Sequence, residues 1–230
     1  MIIDYQPISY RHELKHPING LEVYYLKERL ALLFSKDQYC YKNGYYNVNS
    51  LYFDTPYDKA LKEKMDGEIQ REKFRIRYYN QDLSFIRLEK KIKHNGLCAK
   101  RSVPLEVWQV EKILQGEIDF LLESQEPLMI EFYSKIKGEL LQPSVIVSYQ
   151  RCAFIYDVAN VRLTIDDHLK IYKNWWEFLK LADTYISLDG AVLEVKYNEF
   201  LPDIIVMALQ GIHQKTTSYS KYARCRLLDW

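Results

Sequence analysis

The stretch KFRIRYY, residues 73–79, alternates basic with apolar side chains. Successive side chains of a β-strand point to opposite faces, so this alternation predicts a strand with one cationic face and one apolar face. A single strand of this kind is typical of a sheet with a solvated face, where water and salt screen the charges. The pattern becomes informative when other strands of the same chain repeat it.

Charged side chains occupy one face in five further segments that are expected to be strands. These faces carry Arg11, Glu13 and Lys15, then Glu89, Lys91 and Lys93, then Tyr149 and Arg151, then Arg162, Thr164 and Asp166, and finally Glu194 and Lys196. The opposite faces are expected to be apolar, through Phe74, Ile76, Tyr78, Phe85, Leu163, Ile165, Val195 and Tyr197. Helices can pack on such apolar faces, and the charged faces then point together into one lumen.

Helices are expected between these strands. The helical signals are found after Gly20, from Pro56, over 107–114, over 128–137 and after Pro202. No linker, repeat or low-complexity segment divides the chain. The pattern predicts an α+β fold, an antiparallel β-barrel of about eight strands with helices packed outside, in a single domain over residues 1–230.

Composition and motifs exclude several classes of protein. The chain has 230 residues and eight glycines, and it lacks GxGxxG and GxxxxGK[ST], which argues against Rossmann and P-loop nucleotide binding. No apolar run is long enough for a transmembrane helix, and residues 1–11 lack the pattern of a secretory signal. The cysteines are scattered, at Cys40, Cys98, Cys152 and Cys225, which favours reduced thiols in a cytoplasmic protein.

Positive charge is concentrated in one part of the chain. Residues 71–101 contain ten Lys and Arg against three acids, although the whole chain has a formal net charge of only +1. A lumen lined by these cations is unstable when empty, so it predicts a ligand that carries several negative charges. The few acids on the same faces suit a hard divalent cation. A triphosphate or polyphosphate bound with a metal fits this pattern best.

Nine short motifs occur in one order along nearly the whole chain. They are RHELK (11–15), SLYFDTP (50–56), KFRIRYY (73–79), LEKKIK (88–93), AKR (99–101), SYQRCAF (148–154), VRLTID (161–166), VLEVKY (192–197) and YSKY (219–222). Together they resemble the VTC domain, the catalytic domain of polyphosphate polymerases. This family belongs to the triphosphate tunnel metalloenzyme, or CYTH-like, superfamily. The resemblance implies an eight-stranded tunnel barrel that transfers the γ-phosphate of ATP to a growing polyphosphate chain.

The resemblance also implies roles for individual residues. Phosphate contacts correspond to Lys15, Arg75, Arg77, Lys91, Lys100, Arg151, Arg162 and Lys196. The metal-binding acid corresponds to Glu194, with Glu13 and Glu89 as weaker candidates. Catalytic roles correspond to Glu194 and Lys221, and Tyr149 corresponds to an aromatic residue that can stack on the nucleotide base. The implied cofactor is a divalent metal, Mn²⁺ or Mg²⁺.

Two positions depart from related motifs. Hydrolytic CYTH proteins begin with ExExK, whereas this chain has Arg11, Glu13 and Lys15 in that order. Losing one carboxylate weakens metal-assisted activation of water, so the change favours transfer to phosphate over hydrolysis. Family members often carry a second Arg two positions after the AKR lysine. In this chain the lysine is Lys100, and the position two residues later is Ser102.

Other functions stay open at this stage. They are a triphosphate hydrolase or cyclase, a non-catalytic polyphosphate or nucleotide sensor, and a single-stranded nucleic-acid binder. Nucleic acid is not expected, because most aromatic side chains are expected on the apolar faces and not among the cations. The resemblance implies ATP and polyphosphate as ligands. It also implies a cytoplasmic protein, with a separate membrane protein as the partner that would hold it at the inner face of a membrane.

Overall fold

The computed structural model describes residues 9–40, 44–213 and 215–228. Its strands are β1 (His12–Ile18), β2 (Ser35–Lys36), β3 (Tyr46–Asp54), β4 (Gln70–Tyr79), β5 (Asp82–His94), β6 (Leu97–Leu105), β7 (Gln142–Tyr156), β8 (Val161–Tyr172), β9 (Ile186–Leu188) and β10 (Ala191–Tyr197). Its α-helices are α1 (Gly20–Leu33), α2 (Lys59–Met65), α3 (Val107–Gln115), α4 (Asp119–Glu123), α5 (Pro127–Glu139), α6 (Asp203–Ala208) and α7 (Lys221–Arg226). Short 3-10 helices span Asp157–Ala159 and Trp175–Glu177.

The strands join one antiparallel sheet in the order β1-β10-β8-β7-β3-β4-β5-β6, while β2 pairs with β7 and β9 with β8. Within the described residues, a single β-bridge joins the edge strands: the backbones of Arg11 and Cys98 exchange hydrogen bonds of 3.0 and 2.9 Å. The predicted α+β fold with a large antiparallel sheet is confirmed. The predicted barrel is not closed by a continuous ladder, because β1 and β6 do not pair beyond this bridge in the described part of the chain.

The outer face of the sheet carries most of the apolar side chains, as the sequence predicts. Phe74 and Ile76 of β4 pack with Phe132 of α5 in one buried cluster, to which α3 and α4 also contribute. Leu163 of β8 packs with Leu30 of α1 in a second buried cluster, to which α6 contributes. Burying such a side chain contributes about 1.5–3 kcal/mol, so the helices fix this face outward and leave the charged face inward.

The inner face is partly filled by α7, a helix that the sequence pattern does not reveal. Tyr222 and Cys225 of α7 lie in a third buried cluster with Tyr52 of β3. The helix begins after Ser220, whose hydroxyl accepts a hydrogen bond from the backbone N–H of Ala223 at 3.3 Å. Helix α7 therefore occupies one side of the inner space, and a cavity remains beside it.

Two helix boundaries differ from the sequence expectation. The helix expected from Pro56 begins at Lys59 instead, after Asp58, whose φ of 56° is left-handed. The helix expected over 128–137 continues to Glu139 and ends where Leu140 takes a φ of 58°. In both cases a residue other than glycine adopts the left-handed backbone, which is why glycine and proline signals misplace the boundary.

Asp54, at the end of β3, is buried and serves the first turn of α2. Its Oδ1 accepts hydrogen bonds from the backbone N–H groups of Thr55 at 2.8 Å and Ala60 at 2.9 Å. Its Oδ2 accepts a hydrogen bond from the N–H of Leu61 at 3.1 Å and another from the hydroxyl of Tyr222. One carboxylate therefore joins β3, α2 and α7.

Within residues 9–40, 44–213 and 215–228, no helix is both long and apolar enough to cross a membrane. The sequence predicts that residues 1–11 are not a secretory signal. Of these, residues 1–8 lie outside the described residues. The extent of the single domain, 1–230, stays a prediction.

We expect Asp54→Ala to destabilise the protein by about 2–4 kcal/mol, because buried N–H groups of α2 lose their acceptor. Tyr222→Phe removes a single hydrogen bond to the same carboxylate and should cost about 1 kcal/mol. Urea unfolding followed by circular dichroism measures both values. Equal costs for the two variants would show that Asp54 does not organise α2.

Candidate functional site

A cavity of about 660 Å³ lies on the inner face of the sheet. Its lining includes every side chain that the sequence predicts to bind phosphate: Lys15, Arg75, Arg77, Lys91, Lys100, Arg151, Arg162 and Lys196. Arg11, Lys73 and Lys221 also line it. Strand parity therefore brings cations from β1, β4 to β8 and β10 into one space.

Glu89 lies beneath these cations and not in the cavity lining. It is 1% exposed, and it accepts hydrogen bonds from Arg75 Nε and Lys100 Nζ, each at 2.7 Å, while Arg77 lies 3.9 Å away. Burial alone would raise the pKa of Glu89, but the neighbouring cations hold it well below its usual value. A metal ion at Glu89 would have to displace Arg75 or Lys100, and the metal role of this residue stays a prediction.

Glu13 and Glu194 face the cavity and share Lys15. The Lys15 Nζ lies 2.8 Å from Glu13 Oε1 and 3.5 Å from Glu194 Oε2. Lys91 pairs with Glu13 at 2.9 Å, and Lys196 pairs with Glu194 at 2.5 Å. Burial alone would raise the pKa of both carboxyl groups, but the lysine charges lower it, so both are ionised at neutral pH.

Asp166, which no sequence motif predicted to have a role, supports the site. Its carboxylate accepts hydrogen bonds from Arg151 Nε at 2.6 Å, from Arg151 Nη2 at 2.7 Å and from Lys221 Nζ at 2.5 Å. Asp37, in the loop after β2, lies 2.5 Å from Arg162 Nη2 in an ion pair without hydrogen-bond geometry. Strand parity marks Asp166 as inward-facing, whereas no sequence pattern places Asp37 here.

Tyr149, predicted to stack on the nucleotide base, is surrounded by cations. It is 3% exposed, and its hydroxyl accepts hydrogen bonds from Arg77 at 3.2 Å and Arg151 at 3.3 Å. The ammonium of Lys221 lies 4.6 Å from the ring centroid, in a cation–π contact. Tyr149 therefore spaces the cations around the cavity, and its stacking role stays a prediction.

Lys73 lines the cavity, and no carboxylate lies within ion-pair distance of it in the described part of the chain. Its ammonium lies 4.4 Å from the centroid of the Tyr222 ring. Burial lowers the pKa of Lys73 from 10.5 to about 7, with Asp54 offsetting part of the effect and Arg71 and Lys91 adding to it. The sequence places Lys73 on the cationic face, but its titration near neutrality depends on burial.

Phe85 lies on the inner face, and the expectation that it belongs to the apolar outer face is wrong. It shares strand parity with Glu89 and Lys91, so β5 directs it inward with them. Phe85 lines the cavity and is 47% exposed. A large apolar ring therefore stands open at a cationic cavity.

Comparison with protein families finds one match across the chain. The family model described as VTC domain matches residues 10–228. This range includes every candidate residue from Arg11 to Lys221. No curated protein matches the chain.

Solved structures with the same fold cover almost the whole chain. A Bacillus halodurans protein described as a "putative adenylate cyclase" superposes with a TM-score of 0.56 at 15% identity, covering 95% of this chain and 98% of that one. The PH1819 protein of Pyrococcus horikoshii superposes with a TM-score of 0.50 at 14% identity, covering 96% of this chain and 99% of that one. At this level of identity the likeness shows the fold alone.

We expect the pH dependence of triphosphate binding to report Lys73. Its folded-state pKa of about 7 means that triphosphate binding draws a proton onto this lysine, so affinity falls as the pH rises above that value. Calorimetry of inorganic triphosphate binding from about pH 7 to about pH 9 measures the slope, and Lys73→Met should reduce it by up to about one proton.

Lys62→Met is the matched control, because Lys62 is exposed on α2 and lies outside the cavity lining. The pH dependence of triphosphate affinity in Lys62→Met should equal that of the wild type. Lys196, with a pKa of about 8, contributes to that dependence in both proteins. The contribution of Lys73 to the free energy of unfolding should rise with pH from about 7 towards 10.5, since the unfolded state binds its proton in that range. Equal binding slopes in Lys73→Met and wild type would contradict the assignment.

Proposed function

This chain belongs to the VTC domain family, and on that premise we propose that it is a metal-dependent polyphosphate polymerase. It transfers the γ-phosphoryl group of ATP to the end of a growing polyphosphate chain. The observation that carries the proposal is the convergence of arginines and lysines from seven strands, β1, β4 to β8 and β10, on one cavity. Arginine binds phosphate oxygens through a planar fork, and lysine supplies a compact charge.

The charge balance of the cavity supports a long polyanion as ligand. Among the described residues the carboxylates in its lining are Glu13, Asp82 and Glu194, against many more cations. A chain of phosphates offers one acceptor group after another to such a lining. Each phosphate contact replaces water around a cation that the fold has already oriented. Binding therefore loses little side-chain entropy.

Glu13 and Glu194 are the acids that would hold a divalent cation. Both face the cavity and both are ionised, but the Lys15 ammonium lies within 3.5 Å of both, so a bound cation would take its place. Groups of three or more Asp, Glu, His or Cys side chains that could hold a metal are absent from the described residues. Magnesium is commonly held by one or two carboxylates with substrate phosphates and water completing the shell, and manganese accepts the same ligands. When bound, the metal supplies charge neutralisation to the phosphate oxygens.

The cavity side chains would carry out an in-line transfer. A terminal oxygen of the acceptor chain attacks the γ-phosphorus, the bond from that phosphorus to the β–γ bridging oxygen breaks, and ADP leaves with the electron pair. Arg77 and Arg151, which share the Tyr149 hydroxyl, can neutralise the charge of the transferring group. Asp166 holds Arg151 and Lys221 in place for this step.

The residues around the start of β1 that line the cavity favour transfer of the phosphoryl group to phosphate over its transfer to water. Arg11 lines the cavity at the position where hydrolytic CYTH proteins carry the first acid of ExExK. Among the described residues, two carboxylates, Glu13 and Glu194, lie within 3.5 Å of Lys15. Few carboxylates are then available to activate water, and more cations are available to hold two phosphate chains end to end. If polyphosphate chains do not form, the alternative functions are a hydrolase, a cyclase or a polyphosphate sensor.

The proposal extends to the closed tunnel and to the partners. The Arg11–Cys98 bridge marks the seam at which β1 and β6 would complete an eight-stranded tunnel. ATP and polyphosphate are the proposed ligands, Mn²⁺ or Mg²⁺ the proposed cofactor, and a separate membrane protein the proposed partner at the inner face of a membrane.

We expect the protein, incubated with ATP and Mn²⁺ or Mg²⁺, to form polyphosphate and ADP with little free phosphate. Gel electrophoresis resolves the chains, and a parallel assay measures free phosphate. Stoichiometric free phosphate without chains would assign the protein to the hydrolases. Tight triphosphate binding with neither product would favour a sensor, and either result would overturn the proposed polymerase.

We expect Glu194→Gln to lower metal-dependent turnover about 100-fold or more, because the amide keeps the shape but lacks the charge that a hard cation needs. Affinity for metal-free triphosphate should hold or rise, since Lys15 and Lys196 lose a competing carboxylate. Calorimetry with and without the metal separates the two effects. Glu111→Gln, an exposed change on α3, is the control, and normal turnover in Glu194→Gln would remove the metal role from Glu194.

A further inference from the structure

The two ends of the cavity differ in their chemistry. Strand β4 crosses it with Lys73 near one end and Tyr79 at the other, six residues or about 20 Å apart. Near the Lys73 end, Arg71 and Lys64 add positive charge. The lining near the Tyr79 end contains aromatic and small polar side chains, namely Tyr46, Tyr79, Asn80, Asp82, Ser84 and Phe85, and Arg162 donates a hydrogen bond to the Tyr46 hydroxyl at 3.1 Å.

Tyr79 and Phe85 form what we call the aromatic mouth. Phe85 is 47% exposed, although it lines the cavity. The ring centroids of Tyr79 and Phe85 lie 6.1 Å apart, and the Arg87 guanidinium lies 4.8 Å from the Phe85 centroid. Open aromatic surface beside a cationic cavity suits a ligand that joins a flat ring to a chain of phosphates.

The order of side chains along β4 suits such a ligand. From the aromatic mouth inward, the strand presents Tyr79, Arg77, Arg75 and Lys73 on one face, at intervals of two residues. Each interval spans about 6.6 Å. One strand therefore offers an aromatic ring and then three successive cations, which is the order of a base followed by its phosphates.

The turn that carries the mouth is held in place before any ligand arrives. Asn80, with a φ of 53°, donates from its backbone N–H to the Asn47 carbonyl at 2.9 Å. Its side-chain oxygen accepts a hydrogen bond from the Asn47 N–H at 2.9 Å, and its carbonyl accepts one from Asn49 Nδ2 at 2.7 Å. A pre-ordered turn loses little conformational entropy when a ligand stacks against it.

We infer that the aromatic mouth stacks on the base of the nucleoside triphosphate, an inference that rests on the proposed function. Tyr149 is less suited to this task, because it is buried, its hydroxyl joins two arginines and Lys221 lies over its ring. Asp82, whose Oδ1 accepts two hydrogen bonds from Ser84, stands beside the mouth as an acceptor for an amino group of the base.

Calorimetry of two ligands tests the inference. The probes are the imido analogue of ATP, which cannot transfer its γ-phosphate, and inorganic triphosphate, which has no base. Phe85→Ala should weaken binding of the ATP analogue about 5- to 30-fold, the scale of one lost stacking contact, and leave triphosphate affinity within about twofold. Phe85→Trp should retain analogue affinity, and its indole fluorescence should respond to the analogue but not to triphosphate.

Phe200→Ala is the matched control, because Phe200 is 67% exposed and lies outside the cavity lining. It should bind both ligands as the wild type does. Equal loss of both ligands in Phe85→Ala, or unchanged affinity for both, would overturn the base site even where wild-type protein synthesises chains. A wild-type protein that binds neither ligand would overturn the proposed function together with the base site.

Discussion

Pairing of opposite charges inside the sheet is the interaction on which the rest of the structure depends. Cations that converge in a buried space repel one another, and taking an unpaired ion out of water costs several kcal/mol. The chain meets this constraint by setting carboxylates beneath its cations. Glu89 lies under Arg75 and Lys100, and Asp166 lies under Arg151 and Lys221. Each of these four cations is paired with a carboxylate beneath it, and its remaining N–H groups can donate hydrogen bonds to a ligand.

This arrangement suits a reaction that needs position and charge more than covalent chemistry. Phosphoryl transfer is accelerated when donors are already aimed at the oxygens on which charge collects. The Tyr149 hydroxyl keeps Arg77 and Arg151 apart at a fixed spacing, and the outer helices hold the strands that carry both arginines. The repulsion between like charges is therefore offset during folding by the carboxylates beneath the cations, and binding of a polyanion would reduce it further.

The inner face is asymmetric, so the two ends of the cavity present different side chains. Helix α7 fills one side with Tyr222, while the turn at Asn80 leaves aromatic rings open at one end. At the other end Lys73 has an aromatic neighbour and no carboxylate within ion-pair distance among the described residues, so its amino group is available to take up a proton and bind phosphate. A linear polyanion with a flat head group therefore meets different chemistry at its two ends.

The alternation in KFRIRYY and its repeats by itself determined which side chains share a face of each strand, and with it most of the cavity cations, because successive side chains of a strand point to opposite faces. The same rule, applied consistently, would have placed Phe85 inside. Only the tertiary structure decided the pairing of Asp37 with Arg162, the position of α7, the incomplete seam between β1 and β6 and the lowered pKa of Lys73. These features depend on distances and burial between residues far apart in the chain, which no local pattern encodes.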